Sequence, residues 1–373
     1  MNLYRRTWAE IDLKAIKHNV REIKGTLPAD TKIFAVVKAN GYGHGAVQVA
    51  KAALEAGADY LAVALLEEAL ELRKSGITEP ILVFGSVDPE AAKVAVKKEI
   101  TLSVFHKEWL ERVKDFQLEE KVKIHLKLDS GMGRLGIRTA QEVEQFLEVL
   151  SSNPNVALTG VYTHFATADD LKFDIFSKQK DTFKQLLKEV QRQYSKNICI
   201  HWSNSAATMR EPNNTFNAVR LGVAMYGLHP STSIRESTSL LLKPAFSLHS
   251  ELTHVKRVKK GRPISYSASY ITKDDEWIGT VPIGYADGFR RSLQGTDVLI
   301  NGRRCEIVGR ICMDQLMIRL DQYYHIGTKV TLIGVQGKEE ITADEVANKI
   351  GTINYEIPCM ITSRVPRLLK EDL

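Results

Sequence analysis

The sequence predicts an α/β fold: a (β/α)8 barrel of the TIM type followed by a mostly antiparallel β-domain. Three observations carry that expectation. Between residues 30 and 230, eight short apolar runs recur with helical patterns between them. After about residue 240 the helical patterns nearly vanish and strand-like runs follow one another. Polar residues also gather where the apolar runs end, the face on which barrels of this kind carry their chemistry.

The elements can be justified in order. The opening stretch MNLYRRTWAEIDL carries charge with no apolar run behind it, so it does not read as a signal peptide. Within it, WAEIDL fits a strand of either module. Asp12 opens LKAIKHNVREIKG, an extra helix ahead of the first barrel strand, with Gly25 as its stop. The eight runs are IFAVVK (33–38), YLAVA (60–64), ILVFG (81–85), LSVF (102–105), IHLKLD (124–129), LTGVYTHF (158–165), ICIHWSNS (198–205) and AVRLGVAMYG (218–227). The last also fits a strand running straight into a helix. Between them, Asp88-Pro89-Glu90 offers an N-cap, a first-position proline and a first-turn acid. Thr139-Ala140-Gln141-Glu142 is a capping box ahead of EVEQFLEVL. Strands alternating with helices imply a parallel sheet, and eight such units favour a closed barrel over an open doubly wound sheet.

Beyond residue 240, FSLHSELTHVKRV, WIGTVPIGY, DVLINGRRCEIVG, DQLMIRLD and KVTLIGV are β-rich, and Asn301-Gly302 is a type I′ hairpin signal. One late helix, ADEVANKIG, interrupts them. The expected modules are residues 1–240, a barrel whose extreme N-terminus also fits a strand of the β-domain, and residues 241–373, the β-domain.

Composition narrows the function classes. With 373 residues the chain can bury a sizeable core, and its net charge of +6 is small for that length. The basic pairs Lys97-Lys98 and Lys259-Lys260 are short and interrupted, unlike the clustered stripe that nucleic acid requires. Cys199, Cys305, Cys312 and Cys359 show no metal-ligand spacing and read as reduced thiols of a cytoplasmic protein. No run approaches the roughly 18 apolar residues that span a bilayer. Neither nucleic acid, membrane nor metal is expected.

At the run ends stand Lys38 with Tyr42, Asp129 with Arg134, then His164, Asn204-Ser205 and Arg220. Each has an ordinary reading. A lysine at a strand end is usually a surface residue, and a lone histidine is usually a satisfied core residue. Arg134 and Arg220 also fit structural ion pairs, and Lys127 with Asp129 fits an internal salt bridge. Convergence on one rim is what argues for an enzyme. Lys38 gains weight from the glycines of AVVKANGYGHG, which let backbone approach a ligand closely.

Two motifs mislead. Gly131-Met132-Gly133-Arg134-Leu135-Gly136 matches G-x-G-x-x-G, but it follows the fifth strand, and where an acid should close the next strand the chain has SSNPN. NGYGHG lacks both that spacing and the G-K-[ST] of a P-loop.

With Lys38 in AVVKANGYGHG, the chain resembles the pyridoxal-phosphate-dependent alanine racemase family. KLDSGMGRLG (127–136), THFATAD (163–169), SNSAA (203–207), VRLGVAMYG (219–227), SYSASY (265–270), IGYADG (283–288), CMDQ (312–315) and NYE (354–356) all look like that family's segments, in its order. The resemblance implies a barrel with a C-terminal β-domain and a cytoplasmic head-to-tail homodimer with shared active sites. It implies pyridoxal 5′-phosphate as cofactor. It also implies interconversion of L- and D-alanine, by two-base proton transfer on the cofactor's aldimine, to supply D-alanine for peptidoglycan.

Residue by residue, it implies that Lys38 carries the Schiff base and that Tyr266 is the second acid/base. Tyr42, Ser205, Gly222, Val223 and Tyr355 would hold the phosphate, with Asn204 beside them. His164 would lie by the ring, and Arg220 would face the pyridine nitrogen. Arg134 and the Met313 backbone would bind the substrate carboxylate. Lys127 matches a position carbamylated in many members, and Tyr285 resembles a residue of the substrate's access channel. One departure stands out: the tyrosine usually followed by glycine is followed here by Ser267.

Rival readings meet specific residues. A decarboxylase of the same architecture places an acid at the pyridine nitrogen, where this chain has Arg220. A non-catalytic cofactor-binding protein with the same barrel lacks the β-domain, leaving about a third of this chain unexplained. A racemase of serine or broader scope stays open, although Tyr355 and Met313 point to a small side chain.

Overall fold

Alternation in TWAEI makes a strand, Thr7–Ile11 (β1), whose partners come from the far end of the chain. The computed structural model describes residues 4–171 and 174–372, so the first letters of MNLYRRTWAEIDL lie outside it. The helix Leu13–Lys24 follows, with Gly25 immediately after it.

All eight apolar runs are strands: Lys32–Val36 (β2), Tyr60–Val63 (β3), Ile81–Val83 (β4), Ile100–Val104 (β5), Val122–Lys127 (β6), Val156–Tyr162 (β7), Cys199–His201 (β8) and Ala218–Leu221 (β9). They form one parallel sheet in the order β8-β7-β6-β5-β4-β3-β2-β9. The seam between β8 and β9 is bridged by backbone N–H groups of Asn217 to Ile200 O and Arg220 to Ser203 O, both at 3.0 Å. The sheet therefore closes on itself, which excludes the open doubly wound alternative. Its strands are short and buried on both faces, the reason they read as continuous apolar runs.

The helix starts hold. Asp88 Oδ1 accepts from Glu90 N–H at 3.1 Å, ahead of the turn Pro89–Ala91 and the helix Ala92–Lys97. Thr139 and Glu142 make a reciprocal capping box at 3.2 and 2.9 Å before Ala140–Ser151. Strand β9 does run into a helix, the single turn Val223–Tyr226, stopped by Gly227 in the left-handed region.

The chain divides into two compact units. One comprises Lys14–Gly41 and Ala46–Lys243. The other takes in the described residues up to Leu13, the short piece Tyr42–Gly45, and the described residues from Pro244 onward. The second unit adds Phe246–Glu251 (β10), His254–Val258 (β11), Pro263–Ile264 (β12), Tyr270–Ile271 (β13), Glu276–Val281 (β14), Asp297–Ile300 (β15), Arg303–Glu306 (β16), Leu316–Leu320 (β17), Lys329–Gln336 (β18), Glu339–Ile341 (β19) and Arg367–Leu369 (β20).

Its main sheet runs β16-β15-β18-β10-β1-β20, with β19 paired to β18. Only the β1–β20 pair is parallel there. Strand β1 thus pairs antiparallel with β10, Thr7 opposite Ser250 and Ile11 opposite Phe246, which answers the question WAEIDL left open. Asn301 and Gly302 both have positive φ, 49° and 73°, as a I′ turn between β15 and β16 requires. The late helix is Ala343–Ile350, capped by Thr342 and ended by Gly351.

Candidate active site

Lys38 leaves the end of β2, and the backbone after it turns the wrong way. Residues 39–43 all have positive φ, from 51° to 81°, a single turn of left-handed helix. Each non-glycine residue in that conformation costs about 1–2 kcal/mol, and Ala39, Asn40 and Tyr42 are three such residues. Local bonds offset the cost. Ala39 N–H donates to Glu68 Oε1 at 2.6 Å, Gly41 N–H to Val37 O at 2.8 Å, and Ala46 N–H to Asn40 Oδ1 at 3.0 Å. At Gly43 a Cβ would lie 2.2 Å from Pro358 O, so the space this glycine leaves is filled by protein backbone rather than by a ligand.

Strand β6 carries His125 and Lys127, both buried. The Lys127–Asp129 salt bridge does not form. Lys127 Nζ lies 4.7 Å from the Tyr162 ring centre and makes no ion pair among the described residues. Burial pushes its amine well below the ordinary lysine range, and the charges of Arg220 and Arg134 add to that. Asp129 Oδ1 instead accepts three backbone N–H groups, from Gly131, Met132 and Gly133, at 3.0, 2.8 and 3.1 Å. Burial opposes ionisation, but these donors win and hold the carboxyl below its usual range. Asp129 N–H to Ile137 O at 2.8 Å and Ile137 N–H to Lys127 O at 3.0 Å close the base of the loop. The glycines of the false dinucleotide motif therefore wrap a carboxylate and present Arg134 at an exposed tip.

Strands β7, β8 and β9 deliver His164, Asn204, Ser205 and Arg220. The Arg220 guanidinium is buried and fully directed. NH1 donates to His201 Nδ1 at 2.8 Å and His201 O at 3.0 Å; NH2 donates to Thr163 O at 2.7 Å and Trp202 O at 3.0 Å. NH2 also meets His164 Nδ1 at 3.5 Å. Among the described residues its Nε–H has no protein acceptor. Burial lowers the group to about 10, leaving it charged at neutral pH.

A guanidinium only donates, so His201 Nδ1 must accept. Its proton sits on Nε2, which donates to His125 Nδ1 at 2.9 Å. Burial, with Arg220 adding to it, keeps His125 neutral down to about 3 and pushes His201 and His164 well below the ordinary histidine range. The Tyr162 ring stacks on His201 with centres 4.8 Å apart.

Next to this charge lies a small cradle. Ser205 Oγ accepts Gly222 N–H at 2.9 Å and Ala224 N–H at 3.4 Å, which brackets Val223. Asn204 caps the helix Ser205–Arg210 through Ala207 N–H at 3.0 Å. Strand β9 pairs with β2 in register, Phe34 beside Arg220, so the cradle and Lys38 leave adjacent strand ends.

The second unit carries the tyrosines. Burial pushes the Tyr42 phenol above its ordinary value, with Tyr355 and Cys359 close enough to add to the shift. Tyr266 opens the turn Tyr266–Ala268 and is 67% exposed. Met313 is also exposed; its carbonyl accepts Ala286 N–H at 3.0 Å while its own N–H has no acceptor among the described residues. Tyr285 N–H donates to Cys312 O at 3.1 Å, so Tyr285 and Met313 share one staple. Among the described residues no cluster of His, Cys, Asp or Glu could hold a metal ion, and no helix is long and apolar enough to cross a membrane.

Residues 11–230 match the alanine racemase N-terminal domain, and residues 245–369 match the alanine racemase C-terminal domain. The chain belongs to the alanine racemase family. It is 50% identical over 369 residues to alanine racemase 1 of Bacillus subtilis, covering 99% of this chain and 94% of that one. Over 368 residues it is 53% identical to the alanine racemase of Anoxybacillus flavithermus, covering 98% and 95%. The crystal structure of alanine racemase from Bacillus anthracis with bound L-Ala-P superposes with a TM-score of 0.95 at 52% identity, covering 99% of this chain and 96% of that one.

Within this family member, the barrel unit gathers Lys38, Lys127, Arg134, His164, Asn204, Ser205, Arg220, Gly222 and Val223; the second unit holds Tyr42, Tyr266, Tyr285, Met313 and Tyr355. Sequence reasoning missed His201 and the His125 link behind Arg220. The signal was present: in ICIHWSNS, His201, Ser203 and Ser205 alternate onto one face, as His125, Lys127 and Asp129 do in IHLKLD.

Proposed function

We propose that this chain interconverts L- and D-alanine with pyridoxal 5′-phosphate held by Lys38, the D-enantiomer serving peptidoglycan synthesis. Bound pyridoxal 5′-phosphate supplies an electron sink that makes the α-proton of an amino acid removable. The residues fit such a group. Lys38 offers an amine at the barrel rim, and the Ser205 hydroxyl with the Gly222 and Val223 amides beside it offers donors for a phosphate, next to Asn204. Tyr42 and Tyr355 of the second unit are assigned to the same group. The single observation that carries the reading is the Nε–H of a buried Arg220, which has no acceptor among the described residues. It supplies one permanent donor toward a ring nitrogen and no acid to protonate it.

Inversion needs a proton removed on one face of Cα and returned on the other. Lys38 serves one face and the Tyr266 phenol the other, an assignment of roles that makes both residues indispensable. A neutral His164 accepts rather than repels, so it orients a neighbour without adding charge. The Arg134 fork suits a carboxylate bidentately, and the Met313 N–H, with no acceptor among the described residues, is the further donor assigned to it. A neutral, buried Lys127 amine is the form that adds carbon dioxide; its carbamate would give Arg134 an anionic partner. Exposure of Tyr266, Met313 and Tyr285 on the second unit supports a head-to-tail dimer in which a second copy covers them.

The deciding experiment is α-proton exchange in D₂O with each alanine enantiomer and with serine. Wild type should exchange and invert alanine. Lys38→Ala and Tyr266→Phe should each lose most of the inversion, Tyr266→Phe losing exchange of one enantiomer, and inactive Lys38→Ala mixed with inactive Tyr266→Phe should regain activity through shared sites. A colourless protein that takes up no pyridoxal 5′-phosphate from excess would sink the reading.

A further inference from the structure

The turn that carries Tyr266 adopts a backbone that suits glycine but is built from serine and alanine. Ser267 and Ala268 have φ of 58° and 49°, and Ser265 combines φ 67° with ψ −176°, a region that is nearly glycine-only. Such a segment persists only where its surroundings over-determine it. Here one residue supplies those surroundings on both sides of the tyrosine. Ser265 Oγ donates to the Arg310 carbonyl at 2.6 Å, and Arg310 NH1 donates to Ser267 Oγ at 2.9 Å. The neighbouring Gly309 leaves the room: a Cβ there would stand 2.7 Å from Ser265 Cβ. Tyr266 itself is exposed and receives little packing of its own.

We propose that Arg310 is a positioning residue which, through Ser265 and Ser267, clamps the Tyr266 turn and aims its phenol at the reacting carbon. The inference rests on the reading of Tyr266 as a proton-transfer group and deepens it. Ser267 contributes an acceptor that no glycine could, so this chain holds by a hydrogen bond what glycine would permit by freedom. Loosening the clamp displaces one of two proton-transfer groups and leaves the other, on Lys38, in place. Its effect must therefore fall on the transfer that Tyr266 makes: removal of the proton from one enantiomer, and its delivery when starting from the other. Turnover then falls in both directions, and only the substrate isotope effect tells them apart.

The test uses the cofactor-loaded protein and α-deuterated L- and D-alanine. Ser267→Ala keeps the backbone demand and removes the acceptor; Arg310→Met removes the donor. Each should lower kcat about five- to ten-fold, the size of one hydrogen bond. Each should raise the deuterium isotope effect for one enantiomer only, the one whose exchange Tyr266→Phe abolishes. The double variant should be no worse than either single one. Ser267→Gly, which relieves the backbone, should fall between wild type and Ser267→Ala. Equal rises of the isotope effect for both enantiomers, unmoved isotope effects, or multiplying losses in the double variant would overturn the clamp while leaving Tyr266 in its role. Normal exchange of both enantiomers by Tyr266→Phe would instead remove the reading beneath it.

Discussion

Arg220 and His201 are joined twice, NH1 of the one reaching both Nδ1 and the carbonyl of the other at 2.8 and 3.0 Å. Together with the two carbonyls on NH2, this fixes the guanidinium, and its Nε–H has no acceptor among the described residues. On the role proposed for Arg220, a fixed donor with no transferable proton would leave a bound pyridine unprotonated and its electron sink weak. A weak sink favours prompt return of the proton at Cα over side reactions. In Arg220→Glu, pyruvate formed per racemisation should therefore rise at least about ten-fold, the change expected when a donor is replaced by an acid. Unchanged partitioning, measured by coupled pyruvate assay, would contradict the role given to Arg220.

His201→Leu tests the same relationship from the other end. It strips a buried, charged donor of its acceptor, which costs about 1–3 kcal/mol. Urea unfolding should show a loss of that size. The shift toward pyruvate should be smaller than in Arg220→Glu, because the guanidinium remains. A stability equal to wild type would mean the contact carries no weight.

Acid should loosen the second unit through His249. It is buried against Thr331 and Ser247, and burial, helped by Lys329, holds it at about 3; Glu10, 3.8 Å away, pulls the other way and loses. A histidine whose folded pKa is depressed binds its proton only when unfolded. Its stabilising share is complete above the unfolded pKa of about 6.5 and is lost as pH falls from there toward about 3. The slope is about 1.4 kcal/mol per pH unit for one group. His249→Gln should flatten the pH dependence of unfolding between pH 6.5 and 4.5 by about that slope. An unaltered slope would show that His249 is already charged in the fold.

The barrel was legible because its strands are buried on both faces, so each reads as an unbroken apolar run, and because Thr139 and Asp88 announce their helices locally. The partner of β1 was not, since TWAEI alternates equally well against either unit and only its register with Phe246–Glu251 decides. Lys38, Arg134 and Arg220 stood out as charges at strand ends. His201 did not, because an imidazole inside a barrel has no signature until the arginine that needs an acceptor is placed beside it. The glycines after Lys38 advertised an unusual backbone, but whether ligand or protein fills the space at Gly43 depends on Pro358, more than 300 residues away.

Arg134→Lys and Asp129→Asn should fail in related ways. Lysine keeps the charge of Arg134 and loses its two-pronged geometry, so kcat/KM for alanine should fall about 100-fold or more, beyond what charge alone accounts for. The carboxamide of Asp129→Asn would turn an NH₂ group toward one of three backbone donors that now converge on a carboxylate. In that variant KM for alanine should rise about ten-fold, the cost of one frustrated charged hydrogen bond. In an Arg134→Ala background the second change should cost little, because the loop then presents nothing. Independent, multiplying losses would separate Asp129 from Arg134.

Gly43→Ala and Gly45→Ala form a matched pair that separates backbone strain from collision. Both glycines lie in the left-handed region, with φ of 81° and 103°. A Cβ at Gly45 meets nothing within 4 Å, whereas one at Gly43 would overlap the carbonyl of Pro358 at 2.2 Å. The Gly45 variant should therefore lose only the conformational term, about 1–2 kcal/mol. The Gly43 variant must also push the helix Glu356–Met360 aside, so its loss should exceed that of Gly45→Ala by about 2 kcal/mol or more. Because Tyr42 precedes Gly43 and Tyr355 precedes that helix, the movement separates two groups assigned to the phosphate. Affinity for pyridoxal 5′-phosphate should fall in Gly43→Ala and hold in Gly45→Ala, and equal affinities in the two variants would dissociate the left-handed turn from cofactor binding.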